Sequence, residues 1–302
     1  MALASSHSQH TPLAGTLLAA IAFALLTSVD TIFKLMSAGH PAYELMLVNG
    51  IFATVPIVGW AYLSGGFSRL HTARPLLHFG RGSVSVASAF CAIYAYSRLP
   101  LANFYAIVFA GPLLVTALSA FWLGEKIELS RWIAIAIGFV GILVVINPFA
   151  LSATHIPGVA LGRIAAFLSV LCYSLSVVMI RRMRIRESNL AFAIWGYIAA
   201  VTIAGALALI GSMPPLRIAD LGHLAFSGTL AGISSICLMT AYHRSPVTLV
   251  APFQYTQIFW GALAGWLIWH QLPGQHLVIG AVIVALSGLF VIYKETRIKN
   301  NT

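Results

Sequence analysis

The sequence predicts an all-α polytopic membrane protein: ten transmembrane helices in two inverted five-helix repeats, with both termini cytoplasmic. Three observations carry this reading. Apolar residues make up 60% of the 302-residue chain and charged residues 8%, with a mean hydropathy of +0.92, whereas an ordinary soluble domain is about 25% charged. Apolar stretches of about 20 residues, enough to cross a hydrocarbon core of about 30 Å, follow one another with short polar breaks. Finally, AYSRLP at 95–100 returns as AYHRSP at 241–246, an offset of 146 residues.

The spans follow in order from hydropathy and turn residues. The opening MALASSHSQHTPLAG lacks a basic n-region and a small-residue cleavage site, so the first span (12–36) is expected to be retained after a short cytoplasmic segment, 1–11. SAGHP (37–41) turns the chain into the second span (42–63), and SGGFSRLHTARP (64–75) leads to the third (76–97). The fourth (101–123) begins after Pro100 and carries Pro112 near its middle, and the fifth (130–147) ends at NPFALSATHIPG (147–158). The second half repeats the plan with spans at 158–181, 190–210, 221–242, 247–270 and 275–293, the seventh and eighth separated by SMPP (212–215). A basic tail, 294–302, closes the chain. The repeat units are thus 12–147 and 158–293.

A net charge of +10 could suggest nucleic acid in a soluble protein, but here the basic residues fall on alternate loops. With the N-terminus inside, the cytoplasmic segments hold Arg69, Arg74, Lys126, Arg131, Arg181, Arg182, Arg184, Arg186, Arg244, Lys294, Arg297 and Lys299. The other side holds Lys34, Arg98, Arg163 and Arg217, with Arg81 inside the third span. The pattern is a topology signal, with the lipid bilayer and not nucleic acid as partner. Cys91, Cys172 and Cys237 all lie within spans and offer neither a disulfide framework nor metal-ligand spacing.

The offset of 146 holds without gaps well beyond the two hexapeptides. Gly82, Ser88, Cys91, Tyr96, Arg98 and Pro100 meet Gly228, Ser234, Cys237, Tyr242, Arg244 and Pro246, and Gly50, Ala53 and Gly59 meet Gly196, Ala199 and Gly205. Shared apolar composition does not produce matches of Tyr, Arg, Pro and Gly. Five helices per half is an odd number, so the second half enters from the opposite side. An inverted pair of this kind can populate outward-open and inward-open packings of similar energy, which points to transport.

The segment 98–148 carries the LPLA…A turn (99–106), Pro112, LGE (123–125) and Gly138 with Gly141. On these residues it resembles the first-half signature of the EamA group of drug/metabolite transporters. The resemblance implies ten spans in two repeats, a bacterial-type inner membrane, a small-molecule substrate and no cofactor. Family members export amino acids or other small metabolites, and some take up riboflavin or S-adenosylmethionine. One departure matters: the position matching Glu125 is Gln271, so Glu125 reads as a loop-end residue pairing or capping near Lys126, not as half of a symmetric proton relay.

Polar side chains inside a span are costly and are therefore site candidates. Those that break the repeat stand out, because a substrate is asymmetric even where its scaffold is not. Asp30 meets Ser176, Asn49 meets Trp195, Arg81 meets Ser227, Gln254 meets Val108 and Gln257 meets Gly111. Asp30 and Lys34 have the spacing of an ion pair along one helix; Asp30 is otherwise a counter-charge for a substrate amine or a proton carrier. Arg81 either holds a carboxylate or snorkels to the headgroups. Tyr94, Tyr105, Tyr173 and Trp195 lie deep enough to wall a cavity, whereas Trp266 and Trp269 lie near a span end, as in an interfacial belt. The expected hinges are Arg98 with Pro100 and Arg244 with Pro246, each Arg capping the preceding helix, together with the mid-span breaks at Pro112 and Pro252.

No HExxH-type pair, acid cluster or metal-ligand set is present in the sequence, which argues against a membrane-embedded enzyme or a metal site. No charged ring that would line an ion channel is evident either. The expectation is a secondary transporter of small metabolites, first an exporter of amino acids including aromatic ones and second an importer of riboflavin, S-adenosylmethionine or a similar amphipathic metabolite. Small-residue faces at Gly138, Gly141, Gly280 and Gly288 are expected to serve helix contact or a homodimer.

Overall fold

The computed structural model describes residues 12–124, 127–146, 158–183, 188–211, 214–245 and 247–300, and every regular element among them is helical. Pro246 and the Glu125–Lys126 pair lie outside the described residues. The first half comprises α1 (Pro12–Met36), α2 (Ala42–Leu63), α3 (Pro75–Arg98), α4 (Leu101–Val108), α5 (Gly111–Leu123) and α6 (Leu129–Ile146). The second comprises α7 (Val159–Met183), α8 (Asn189–Ile210), α9 (Ile218–Arg244), α10 (Val247–Val250), α11 (Thr256–Trp269) and α12 (Gln275–Asn300).

Eight of the described spans are long and apolar enough to cross a membrane, and the stretch Leu129–Val145 is a shorter apolar helix. Their outward residues, such as Leu209 (89% exposed) and Phe121 (80% exposed), suit hydrocarbon. The ninth predicted span is broken into α10, a 3-10 turn at Ala251–Tyr255 and α11. The fourth is broken too, between α4 and α5, and the residues of that break, 109 and 110, match 255 and 256, where the 3-10 turn passes into α11. Pro112 lies in the first turn of α5, so the carbonyl of Val108 has no proline N–H to receive and α4 ends there. Pro252 falls inside the 3-10 turn. A proline is not sufficient to break a span, since Pro56 is accommodated within α2.

Helix ends carry their own signals. Ser188 caps α8 by accepting the Leu190 N–H at 3.1 Å. α5 stops at Gly124 with φ +68°, and α11 stops at His270 with φ +54°. These two left-handed caps are again 146 residues apart, and only the first has the residue that adopts the conformation without steric cost.

Helices pack across the halves more than within them, and the pairings exchange into one another. α1 packs on α9 and α7 on α3, α2 on α9 and α8 on α3, and α5 on α7 and α11 on α1, while α2 with α8 and α6 with α12 are self-paired. The exchange reaches individual residues. Gly82 of α3 lies against the Trp195 carbonyl and Ala199 of α8, and Gly228 of α9 lies against the Asn49 carbonyl and Ala53 of α2. Ser88 Oγ donates to the Ser169 carbonyl and Ser234 Oγ to the Ala22 carbonyl, each at 2.8 Å. With apolar surface on every side, such close approach and interhelical hydrogen bonds hold a bundle together in lipid. Gly141 and Gly280 face one another between α6 and α12, and Gly138 abuts Leu113, so these small residues are used within the chain.

At one end of the bundle, His40 Nδ1 lies 3.3 Å from Glu44 and Nε2 lies 3.5 Å from Asp220, tying the start of α2 to the start of α9. At the other, Gly15 meets Ser245 and Lys294 pairs with Glu128 at 3.3 Å. Hydrogen bonds from the Lys294 ammonium and Ser130, with the ammonium's charge, hold the Glu128 carboxyl below the usual carboxylate range. Because the folded value is depressed, the pair contributes above the unfolded pKa and is lost as pH falls through the folded one. Glu128 is 50% exposed, however. Glu128→Gln should therefore leave the melting temperature at pH 7 within about 1 °C of the parent, read by a thermal scan in detergent.

Candidate substrate cavity

A cavity of about 400 Å³ lies between the halves, walled by three helices from each. The first half supplies Phe33 (α1), Met46, Asn49 and Gly50 (α2), and Arg81, Ser85, Val86 and Ala89 (α3). The second supplies Tyr173 (α7), Phe192, Ala193, Gly196, Tyr197 and Ala200 (α8), and Ser235 (α9). Its volume is within the range of small-molecule sites, roughly 300–1,000 Å³, and apolar walls with a few placed polar groups are the usual composition.

The polar groups are held individually. Arg81 is 8% exposed, and its Nη2 donates to the Phe192 carbonyl at 2.8 Å while the guanidinium lies 5.7 Å from the centre of the Phe192 ring. The side chain is thus held at the cavity wall. Asn49 Nδ2 donates to Ser227 Oγ at 2.9 Å, Ser85 pairs with Ser176 at 2.8 Å, and Tyr197 with Ser235 at 3.4 Å. Tyr173 keeps 48% of its surface free.

Of the sequence candidates, the structure brings Asn49, Arg81 and Tyr173 to this cavity. Trp195 packs beside His78 with ring centroids 6.4 Å apart. Gln254 lies in the 3-10 turn and Gln257 at the start of α11, and neither is among the lining residues. Tyr94 lies under the Arg98 guanidinium, 5.6 Å from its ring centre. Sequence reading missed Ser85, Phe192, Gly196 and Tyr197. The signal was an i, i+4, i+8 stripe, Arg81–Ser85–Ala89 on α3 and Phe192–Gly196–Ala200 on α8, which places each set on one helix face.

Asp30 and Tyr105 form a separate cluster. The expected Asp30–Lys34 pair does not close. Asp30 accepts the Tyr105 hydroxyl at 2.7 Å and the Tyr96 hydroxyl at 3.2 Å. The Lys34 ammonium instead donates to the carbonyls of Tyr96 (2.5 Å) and Leu99 (2.6 Å), and sits 5.2 Å from the Trp269 ring centre. Three elements therefore converge: α1 holds the α3–α4 turn, and Tyr105 is seated on Gly261 of α11. Lysine, not Arg98, takes the free carbonyls at the end of α3; Arg98 lies on Tyr94 and against Gly158. The expected capping of α3 by Arg98 does not form. Pro100 opens α4 as its N-cap, and Arg244 is the last residue of α9.

The family model described as EamA-like transporter matches residues 13–147 and again 160–293. The chain belongs to the EamA-like transporter family. Among curated relatives of this family member, a riboflavin transporter of Vibrio cholerae is 27% identical over 293 residues, covering 96% of each chain. An S-adenosylmethionine uptake transporter of Rickettsia bellii is 22% identical over 268 residues, 89% of each. A pseudopaline exporter of Pseudomonas aeruginosa is 25% identical over 275 residues, 90% of this chain and 94% of that one. A solved crystal structure shares the fold, with a TM-score of 0.64 at 20% identity over 94% of this chain and 97% of the other. The chain is a multi-pass membrane protein of a transporter family, with a small molecule and lipid as its partners.

Proposed function

We propose that this EamA-family protein is a secondary transporter that moves a small amphipathic metabolite across a bacterial inner membrane by alternating access. In this reading the units 12–147 and 158–293 are inverted five-helix repeats of ten spans in all, and both termini, 1–11 and the tail 294–302, are cytoplasmic. The observation that carries it is the cavity walled by α1, α2 and α3 from one unit and α7, α8 and α9 from the other. Rocking one unit on the other would open that space to each side in turn. The exchanging helix pairs and the bias of basic residues toward the face bearing Lys294 support the topology. The broken spans, with Pro112 and Pro252 at their breaks, and the turns at Arg98–Pro100 and Arg244–Pro246 are the hinges.

The first substrate reading is outward movement of amino acids, including aromatic ones, because the lining combines a cation, neutral amide and hydroxyl groups and aromatic faces. Uptake of riboflavin or S-adenosylmethionine is the second reading, favoured by the relatives named above. Purified protein in proteoliposomes, preloaded with unlabelled compound, should accumulate the labelled form from outside. Counterflow of tryptophan, phenylalanine or tyrosine supports the first reading; counterflow of riboflavin or S-adenosylmethionine without amino acids replaces it with the second. Counterflow of none of them sinks both.

A further inference from the structure

We infer that the cavity selects its substrate by an oxyanion, carboxylate or phosphate, bound at Arg81, with the apolar body of the ligand extending toward Phe33 and Met46. The inference rests on the transport reading and names its substrate class. A guanidinium has five N–H donors, and among the described residues the protein satisfies one of Arg81's, through the Phe192 carbonyl. Among the described residues its Nε has no partner, and those lining the cavity include no carboxylate. A cation buried within a span and lacking a counter-charge is costly, and a ligand oxyanion would offset that cost.

The repeat shows that the charge is not a requirement of the scaffold. The position matching Arg81 is Ser227, which is neutral and already satisfied by Asn49 at 2.9 Å. The same helix packing therefore forms without a cation. Gly196 across from the guanidinium leaves it room, since a Cβ there would stand 3.4 Å from Nη2. Arg81 lies in the second turn of α3 and Phe192 in the first turn of α8, whereas Phe33 is near the end of α1 and Met46 near the start of α2. The cavity thus has a charged end and an apolar end at opposite depths, which fixes the orientation of the bound molecule.

The test is binding by the full chain in detergent, read as ligand-induced stabilisation with two matched pairs: tryptophan against tryptophan amide, and riboflavin phosphate against riboflavin. The oxyanion member of at least one pair should bind about 10- to 100-fold tighter, and the responding pair identifies carboxylate or phosphate as the group held. Arg81→Gln should abolish the preference, while Arg81→Lys, which keeps the charge without the planar fork, should retain part of it. Should Arg81→Gln fail to fold, Asn49→Asp carries the test: a carboxylate in the same cavity should weaken the oxyanion member and spare its neutral partner. Equal binding of both members of both pairs by the parent, no binding of any of them, or an undiminished preference in Arg81→Gln or Asn49→Asp would overturn the inference. Counterflow with no oxyanion preference would leave transport standing and remove this site, whereas the preference without counterflow would do the reverse.

Discussion

Tyr105→Phe should lower the stability of the detergent-solubilised protein by about 1.5–3 kcal/mol, the range for a hydrogen bond to a charged group. The Tyr105 hydroxyl is 2.7 Å from Asp30 Oδ2, and the side chain is 1% exposed. Removing it leaves the carboxylate with Tyr96, at 3.2 Å, as its remaining side-chain donor among the described residues. Water has poor access to replace the lost donor, so the desolvation of the carboxylate goes uncompensated. Asp30→Asn in the Tyr105→Phe background should return most of the loss, because a neutral amide needs less solvation. The measurement is a double-mutant cycle from chemical unfolding in micelles. If Tyr105→Phe costs no more than Tyr62→Phe, a hydroxyl on a residue 69% exposed, the cluster is not a structural tie.

Gly228→Ala should destabilise by about 1–3 kcal/mol, the usual cost of overpacking, and Gly228→Leu should yield little folded protein. A Cβ on Gly228 would lie 2.5 Å from the Asn49 carbonyl oxygen and 2.7 Å from Phe52 Cβ, so α2 itself would have to move. Gly82→Ala should behave alike, with Ala199 Cβ at 2.6 Å and the Trp195 carbonyl oxygen at 3.3 Å. Gly59→Ala and Gly222→Ala are the controls. Both are helical and have nothing within 4 Å of the added Cβ, so they should gain up to about 1 kcal/mol from helix propensity. Equal effects at all four positions would show that close approach of the backbones is not what these glycines supply. Thermal and chemical unfolding of the four alanine variants separates the outcomes.

The bundle was legible in the sequence because hydropathy and the offset of 146 act on every residue of a span. The break after Val108 was legible because Pro112 specifies which carbonyl loses its donor. Partners between spans were not. Lys34 stands one turn from Asp30, so spacing along one helix suggested a pair, yet its acceptors are on residues 96 and 99. Free carbonyls at a helix end favour a cation, and the Asp30 carboxylate already has two hydroxyl donors. Asn49 and Arg81 stood out because each breaks the repeat, and both line the cavity; Ser85 and Tyr197 also line it but did not stand out, because a neutral polar residue on a helix face is ambiguous until the facing helix is known.

The staple made by Asp30 and Lys34 has no copy in the other half. The matching residues are Ser176 and Ile180, and Tyr105 is matched by Ala251. The largest seams exchange between halves, so in the proposed cycle the two end states would differ in energy through unmatched contacts such as this one. Under that proposal, ligand-free molecules would accumulate with the stapled door shut, and a few side chains would set that resting population. Loosening the staple would redistribute the empty transporter between its two doors and leave its preference among substrates unchanged.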